Sequence, residues 1–179
     1  MSAGPERWGW HRLDPDWASR LVRRAGVAPG DLVLDIGAGR GAITRPLLDA
    51  GARVVAIELH EGRARSLRTE LAGRDLVVVR TDAADLRLPR RGFKVVANPP
   101  FGVTAAVLRR LLHPASRLER AELVLPWWAC VRWATGRGLG GLASSRRFEL
   151  GLGPRVPPRA FHPPPPSPAG VLSIHRRRG

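Results

Sequence analysis

Between residues 31 and 113 the chain alternates short, unbroken apolar runs with stretches in which apolar side chains recur every three or four positions. Residues 31–37 (DLVLDIG) place Leu32, Val33 and Leu34 in succession, the pattern of a parallel strand covered on both faces. Residues 41–51 (GAITRPLLDAG) predict a helix closed by Gly51, and Pro46 requires its first turn to begin near Thr44 or to kink. A second strand at 53–59, a helix at 60–73 and a third strand at 75–82 follow, and a fourth strand opens at 93 and runs into two prolines. Residues 102–113 then predict a helix, 121–128 a fifth strand and 129–138 a short helix ending in glycines. Two late strands, 146–153 and 169–177, have no helix between them and predict a terminal antiparallel pair. Residues 154–169 form a proline-rich loop in extended geometry. The expected fold is α/β, a doubly wound, mostly parallel seven-stranded sheet, with residues 1–179 as one domain and residues 1–12 a loosely ordered basic arm.

Composition narrows the function. A chain of 179 residues can bury a core without disulfides or a structural metal. No apolar run approaches a membrane span, and the N-terminal MSAGPERWGWHRLDPDW carries charge where a secretory signal needs an apolar stretch, so a cytoplasmic protein is expected. Cys130 is the only cysteine, which excludes a disulfide within these residues and offers no metal cluster. Lys and Arg total 30 against 15 Asp and Glu, a formal net charge of +15. Lys94 is the only lysine, so the excess is arginine, whose planar fork suits phosphate and stacks on bases. That balance favours nucleic acid over an anionic membrane as partner.

The candidate chemistry sits at the carboxyl ends of the predicted strands, where open α/β sheets place their ligands. The first strand ends in LDIGAGRG, with Asp35, Gly37, Gly39 and Gly41, and glycines there let the backbone approach a ligand closely. Glu58 ends the second strand, 19 residues after Gly39, where a carboxylate can accept both hydroxyls of a ribose. Asp82 follows the third and can accept from the exocyclic amine of a base, although an aspartate there also suits a helix cap. The G-x-G-x-G spacing is not the dinucleotide fingerprint and no P-loop lysine follows, which disfavours NAD and ATP. The fourth strand ends in Asn98-Pro99-Pro100-Phe101. Two prolines cannot continue a central strand, so an amide and an aromatic ring are left on a stiff loop. Each signal alone is weak; four of them at successive strand ends point to a nucleoside-type ligand.

On these residues the chain resembles the class I S-adenosylmethionine-dependent methyltransferases, and within them the Erm family of erythromycin-resistance 23S rRNA adenine N6-methyltransferases, relatives of the ribosomal dimethyladenosine transferases. DIGAGRG is similar to the family's methionine-end motif, AIE to its ribose acid, TDA to its adenine contact and NPPF to its catalytic motif for amino or amide nitrogens. LVRRAG, AELVL and RVPPRAFHPPPPSPAGVLSI extend the similarity from about Leu13 to the C-terminus. The resemblance implies a Rossmann-like methyltransferase fold and S-adenosyl-L-methionine as cofactor, contacted by His11, Leu13, Gly37, Gly39, Glu58, Leu59, Asp82, Ala83 and Asn98, with no metal. It implies catalysis by Asn98, Pro99 and Phe101. The Asn98 side-chain oxygen and the Pro99 carbonyl would accept the two N–H bonds of the target amine, while Phe101 stacks on the extruded adenine.

Three departures accompany it. GWHRL, residues 9–13, stands where members usually carry a Ser-Gln-Asn-Phe-Leu-like segment, with His11 at the asparagine position. PWWACVR, residues 126–132, replaces a Gln-containing segment, and Trp127 and Trp128 are expected in the core or, failing that, as substitutes for substrate contacts. The sequence stops about where a small helical C-terminal RNA-binding domain would begin. RNA would then be held by the domain's own arginines: Arg7, Arg12, Arg132, Arg137, Arg146, Arg147, Arg155, Arg159, Arg176, Arg177 and Arg178. The implied function is methylation of 23S rRNA, as free or precursor RNA, by a monomer without an obligate protein partner, conferring macrolide-type resistance. The same motif also serves enzymes acting on glutamine amides in proteins or on DNA adenine. A non-enzymatic RNA-binding protein with a vestigial cofactor pocket is a third reading.

Overall fold

A computed structural model describes residues 11–137 and 147–177. In chain order the elements are β1 (Arg12–Leu13), α1 (Pro15–Arg24), β2 (Leu32–Ile36), α2 (Thr44–Asp49), β3 (Arg53–Ile57), α3 (Glu61–Glu70), β4 (Leu76–Val79), β5 (Phe93–Ala97) and α4 (Thr104–Leu111). They continue with β6 (Leu118–Pro126), α5 (Trp127–Ala134), β7 (Phe148–Val156), β8 (Phe161–His162) and β9 (Ala169–Arg176). Seven strands form one sheet in the order β4-β3-β2-β5-β6-β9-β7, parallel from β4 to β6, with β9 antiparallel to both its neighbours. The expected doubly wound sheet and its antiparallel pair are both present.

Neighbouring residues of a strand feed opposite layers, as a period of two requires. Leu34, Val95 and Leu123 pack with Leu108 of α4 and Trp133 of α5 on one face. Val33, Val96 and Val124 pack with Leu21 of α1 and Leu47 of α2 on the other. Covering both faces is what makes the runs in β2 and β5 continuously apolar. The chain leaves β2 towards β3 on one side and returns to β5 on the other, so the β2–β5 boundary is the switch point where a crevice opens at the strand ends. Gly37 and Asn98 are the first residues past that boundary.

Several boundaries correct the sequence reading. α2 does begin at Thr44, one of the two outcomes Pro46 allowed, and so keeps Pro46 in its first turn, where its missing N–H costs no hydrogen bond; it ends at Asp49. α1 was not anticipated; Asp14 caps it by accepting from Asp16 N–H at 2.9 Å, and Pro15 opens it. Arg12, expected in a loose arm, is paired instead: β1 and β8 form a two-stranded antiparallel sheet, with Leu13 opposite Phe161. The segment 154–169 is correspondingly not one loop, because β7 runs to Val156 and a single 3-10 turn, Pro158–Ala160, leads into β8. Trp127 and Trp128 belong to α5 rather than to the preceding strand, since Pro126 ends the ladder. The expectation that both are core is overturned for Trp128, which is 62% exposed, while Trp127 is half-buried beneath the Arg155 guanidinium at 4.3 Å. Trp128 lies on the outward face of α5, whereas Ala129, Cys130 and Trp133 supply its buried stripe. Burial pushes the Cys130 thiol up to about 12, so it is an inert core group.

Candidate active site

The loops after β2 and β5 are built against each other. Gly37 has φ +77°, a left-handed conformation that only glycine adopts cheaply. A Cβ there would lie 2.8 Å from Pro100 Cδ and 3.3 Å from Pro99 Cα. The close approach that this glycine permits is thus to the Asn-Pro-Pro segment itself, in addition to any ligand. The Gly37 and Ala38 N–H groups donate to the Ile57 carbonyl at 2.8 and 3.0 Å, which ties the turn to the end of β3.

The neighbouring strand ends add carboxylates. Glu58 is buried, and its two oxygens accept separately from the backbone N–H groups of Gly39 and His60, each at 2.8 Å. Arg63, a turn into α3, stands 4.0 Å from Glu58 Oε1. Asp82 does cap the short turn at Ala83–Asp85, accepting from Ala84 N–H at 2.8 Å through one oxygen. Asp35, at the end of β2, is fully buried and accepts from the Thr44 hydroxyl at 2.6 Å. Burial pushes its carboxyl up to about 7, the neighbouring Glu58 charge adds to the shift, and the Thr44 hydrogen bond opposes it.

A cavity of about 400 Å3 gathers most of the residues that the sequence singled out. His11, Gly37, Glu58, Leu59, Asp82, Ala83 and Asn98 all line it. Gly39 acts one step back, through its bond to Glu58. Leu13 lines a smaller adjoining pocket that shares His11, Gly37 and Asn98 with the cavity, while its 1% exposed side chain packs in the core beside Phe161. Pro99 is buried beneath the loop, and the half-buried Phe101 ring stands 5.9 Å from the His11 ring at a tilt of 41°. Thr81, His60, Arg63 and Val103 also line the cavity and were not anticipated. His60 and Arg63 follow Glu58 at the start of α3, and that proximity was the available signal.

The Asn98 amide is fixed from a distant part of the chain. Its Nδ2 donates to the His11 carbonyl at 2.7 Å, so the Oδ1 side is the one left to accept from a guest. His11 is itself held, its ring Nδ1 lying 2.9 Å from the Pro163 carbonyl, which makes Nδ1 the protonated nitrogen. Asp14 N–H donates to Ala160 O at 2.7 Å. The segment after β8 therefore sets the orientation of the amide through the segment around β1.

The predicted RNA-contacting arginines divide. Arg7, Arg146 and Arg178 lie outside the described residues. Arg12, Arg132, Arg137, Arg155, Arg159 and Arg177 are exposed. Arg147 donates to Pro114 O at 3.1 Å, and Arg176 donates to Leu118 O and Ser116 O at 2.7 and 2.5 Å, so both brace the turn before β6.

This arrangement offers acceptors for a nucleoside at one end of the cavity and, at the other, an oriented amide oxygen on a rigid loop. The family model for ribosomal RNA adenine dimethylases matches residues 12–179. An rRNA adenine N-6-methyltransferase of Corynebacterium diphtheriae is 33% identical over 147 residues, covering 80% of this chain and 57% of the relative. A ribosomal RNA small subunit methyltransferase A of Thermosynechococcus vestitus is 35% identical over 190 residues, 99% of this chain and 72% of the relative. Among solved structures, the 23S rRNA methyltransferase ErmE superposes with a TM-score of 0.81 at 30% identity, over 94% of this chain and 70% of that one. The chain thus spans little more than half of the diphtherial relative. With the ordered strand-end residues, the Asn-Pro-Pro-Phe loop and a match over nearly its whole length, the chain belongs to the ribosomal RNA adenine dimethylase family.

Proposed function

We propose that the protein transfers methyl groups from S-adenosyl-L-methionine to the N6 amine of an adenine in 23S rRNA. The observation that carries this reading is the Asn98 amide, locked by His11 with its oxygen side free, on the rigid loop beside a cavity lined by Glu58 and Asp82. The cavity's volume of about 400 Å3 falls within the rough 300–1,000 Å3 of small-molecule sites. Its donor set fits an adenosine. A carboxylate has about four acceptor positions, so Glu58 keeps two for ribose hydroxyls after binding Gly39 and His60, and Asp82 keeps its second oxygen for a base amine.

The cofactor would supply a methyl carbon already activated by its sulfonium. The protein's task is to prepare the amine, whose lone pair is delocalised into the adenine ring. Asn98 Oδ1 and the Pro99 carbonyl accept its two N–H bonds, draw the nitrogen towards a tetrahedral shape and aim the lone pair at the methyl. Orientation and electrostatics suffice without a strong base: the methylated nitrogen, cationic and therefore strongly acidic, would release its proton to water, with a neutral thioether as the leaving group. A monomethylated amine still offers one N–H to the same pair, which permits a second transfer. Phe101, half-buried and outside the cavity lining, would stack on the extruded base from beside the loop.

Similarity to ErmE supports 23S rRNA as substrate, and with it macrolide-type resistance. A second reading, small-subunit rRNA, is favoured by the cyanobacterial relative, which aligns along nearly the whole chain. Incubation with labelled cofactor and either purified 23S or small-subunit rRNA separates them, in free and ribosomal form. Label in 23S rRNA that raises macrolide resistance in a sensitive host supports the first reading; label confined to small-subunit rRNA replaces it with the second.

A further inference from the structure

A concavity larger than the one at the strand ends lies elsewhere on the molecule. A groove of about 920 Å3 runs beside α4, between the segment leading into β5 and the turn before β6. Only a thin wall separates it from the first cavity: Ala83 and Val103 line one, Ala84 and Ala106 the other. Leu86, Leu88 and Ala106 give it an apolar lining, and no lining residue is acidic. Five arginines and His113 surround it. One of them is structural: Arg110 donates to the Ala84 and Leu86 carbonyls at 2.5 and 3.1 Å and stands 3.7 Å from Asp85, fastening one wall to α4. The other four, Arg87, Arg90, Arg109 and Arg117, are exposed and make no ion pair or side-chain hydrogen bond among the described residues.

Four unpaired guanidiniums converging on one concavity repel one another and sacrifice donor capacity, whereas Arg53 and Arg65, outside it, pair with Asp75 and Glu61. An anion that offers oxygens at several points relieves both costs, and the fork geometry suits phosphate. We infer that the groove is a second RNA-contact site, separate from the methyl-transfer cavity, in which Arg87, Arg90, Arg109 and Arg117 grip successive phosphates of a single-stranded segment. The apolar lining receives a sugar or an unstacked base. This deepens the proposed function, on which its choice of polyanion rests. None of these arginines is among those that the sequence reading set aside for RNA. They were missed because Arg87 and Arg90 precede β5 while Arg109 and Arg117 belong to α4 and the next turn, and only the fold unites them.

The test is RNA affinity by fluorescence anisotropy for the Arg90→Ala/Arg109→Ala double variant, using a labelled 23S rRNA fragment and an unrelated single-stranded RNA. Arg53→Ala/Arg65→Ala is the control, since it removes the same formal charge from ion-paired sites outside the groove. The groove variant should bind both RNAs about tenfold more weakly than the control, and its log affinity should fall less steeply with log salt by about 1.4, the loss of two single-strand phosphate contacts at about 0.7 each. Melting temperature and cofactor affinity should be unchanged, and turnover at saturating RNA retained. Affinity and salt slope equal to the control's would overturn the proposal. So would displacement of the RNA by poly-glutamate of equal charge as readily as by RNA, which would make the groove a protein-docking surface. A wild-type protein that binds RNA but never methylates it would instead sink the proposed function while the binding comparison still judged the groove.

Discussion

Glu58 holds the backbone of Gly39 and His60 at once, so the carboxylate proposed to accept from the ligand is also a clamp on two loops. Glu58→Ala should weaken cofactor binding by roughly 10- to 150-fold, the equivalent of about 1.5–3 kcal/mol for a lost charged acceptor. Because it strands the Gly39 amide, it should also lower the melting temperature. Calorimetric titration that finds unchanged affinity would count against the strand-end assignment. Asp35 makes a pH-dependent prediction. Its folded pKa of about 7 lies above the ordinary 3.8, so the native state holds the proton more tightly than the unfolded chain. The associated stability is complete below about pH 4 and is lost as pH rises through 7, by several kcal/mol at most. Asp35→Asn keeps a partner for Thr44 but cannot ionise. Its melting temperature should therefore fall less than that of the wild type between pH 4.5 and 8, and parallel curves would refute the shift. Both carboxylates were legible as strand-end residues, but the clamp on His60 and the proton on Asp35 depend on burial, which no local pattern states.

The β2–α2 turn and the Asn-Pro-Pro loop behave as one unit, because a side chain at position 37 meets the pyrrolidine of Pro100. Gly37→Ala should cost about 1–2 kcal/mol for the left-handed backbone alone, and the stiff loop must also shift, carrying Asn98 with it. Turnover should fall further than cofactor affinity, and a variant with wild-type turnover would show the loops to be independent. The central strands were readable because burial on both faces makes them unbroken apolar runs. α1 was not: PDWASRLVRR buries only Ala18, Leu21 and Val22, although Asp14 and Pro15 signalled its start. Nor was β1, a two-residue strand whose partner lies about 150 residues away and whose hydrogen bonds leave no periodicity. The device that orients Asn98 runs through that pairing, so the sequence pointed to the amide without revealing what holds it.

Across the whole molecule, the formal charge of +15 exceeds what buried acids need, since Glu122 already has Arg24, Arg120 and Ser173 as partners. Exposed arginine in such excess suits a polyanionic partner. RNA affinity should fall linearly with salt on logarithmic axes, by about 0.7–0.9 for each phosphate contact depending on strandedness, and affinity insensitive to salt would remove the electrostatic account. The basic character was legible from composition, but its distribution was not, because Arg147 and Arg176 spend donors on the turn before β6 while the α4 groove collects arginines distant in sequence. The central claim is that the oriented Asn98 oxygen prepares an adenine amine for methyl transfer. Its most direct test is mass spectrometry of nucleosides from rRNA incubated with S-adenosylmethionine and either the wild-type protein or Asn98→Ala. N6-methylated adenosine should form with the wild type and not with the variant, whose cofactor affinity should stay within about tenfold of normal. Modified adenosine at comparable yield from Asn98→Ala, or methyl groups found only on protein, would contradict it.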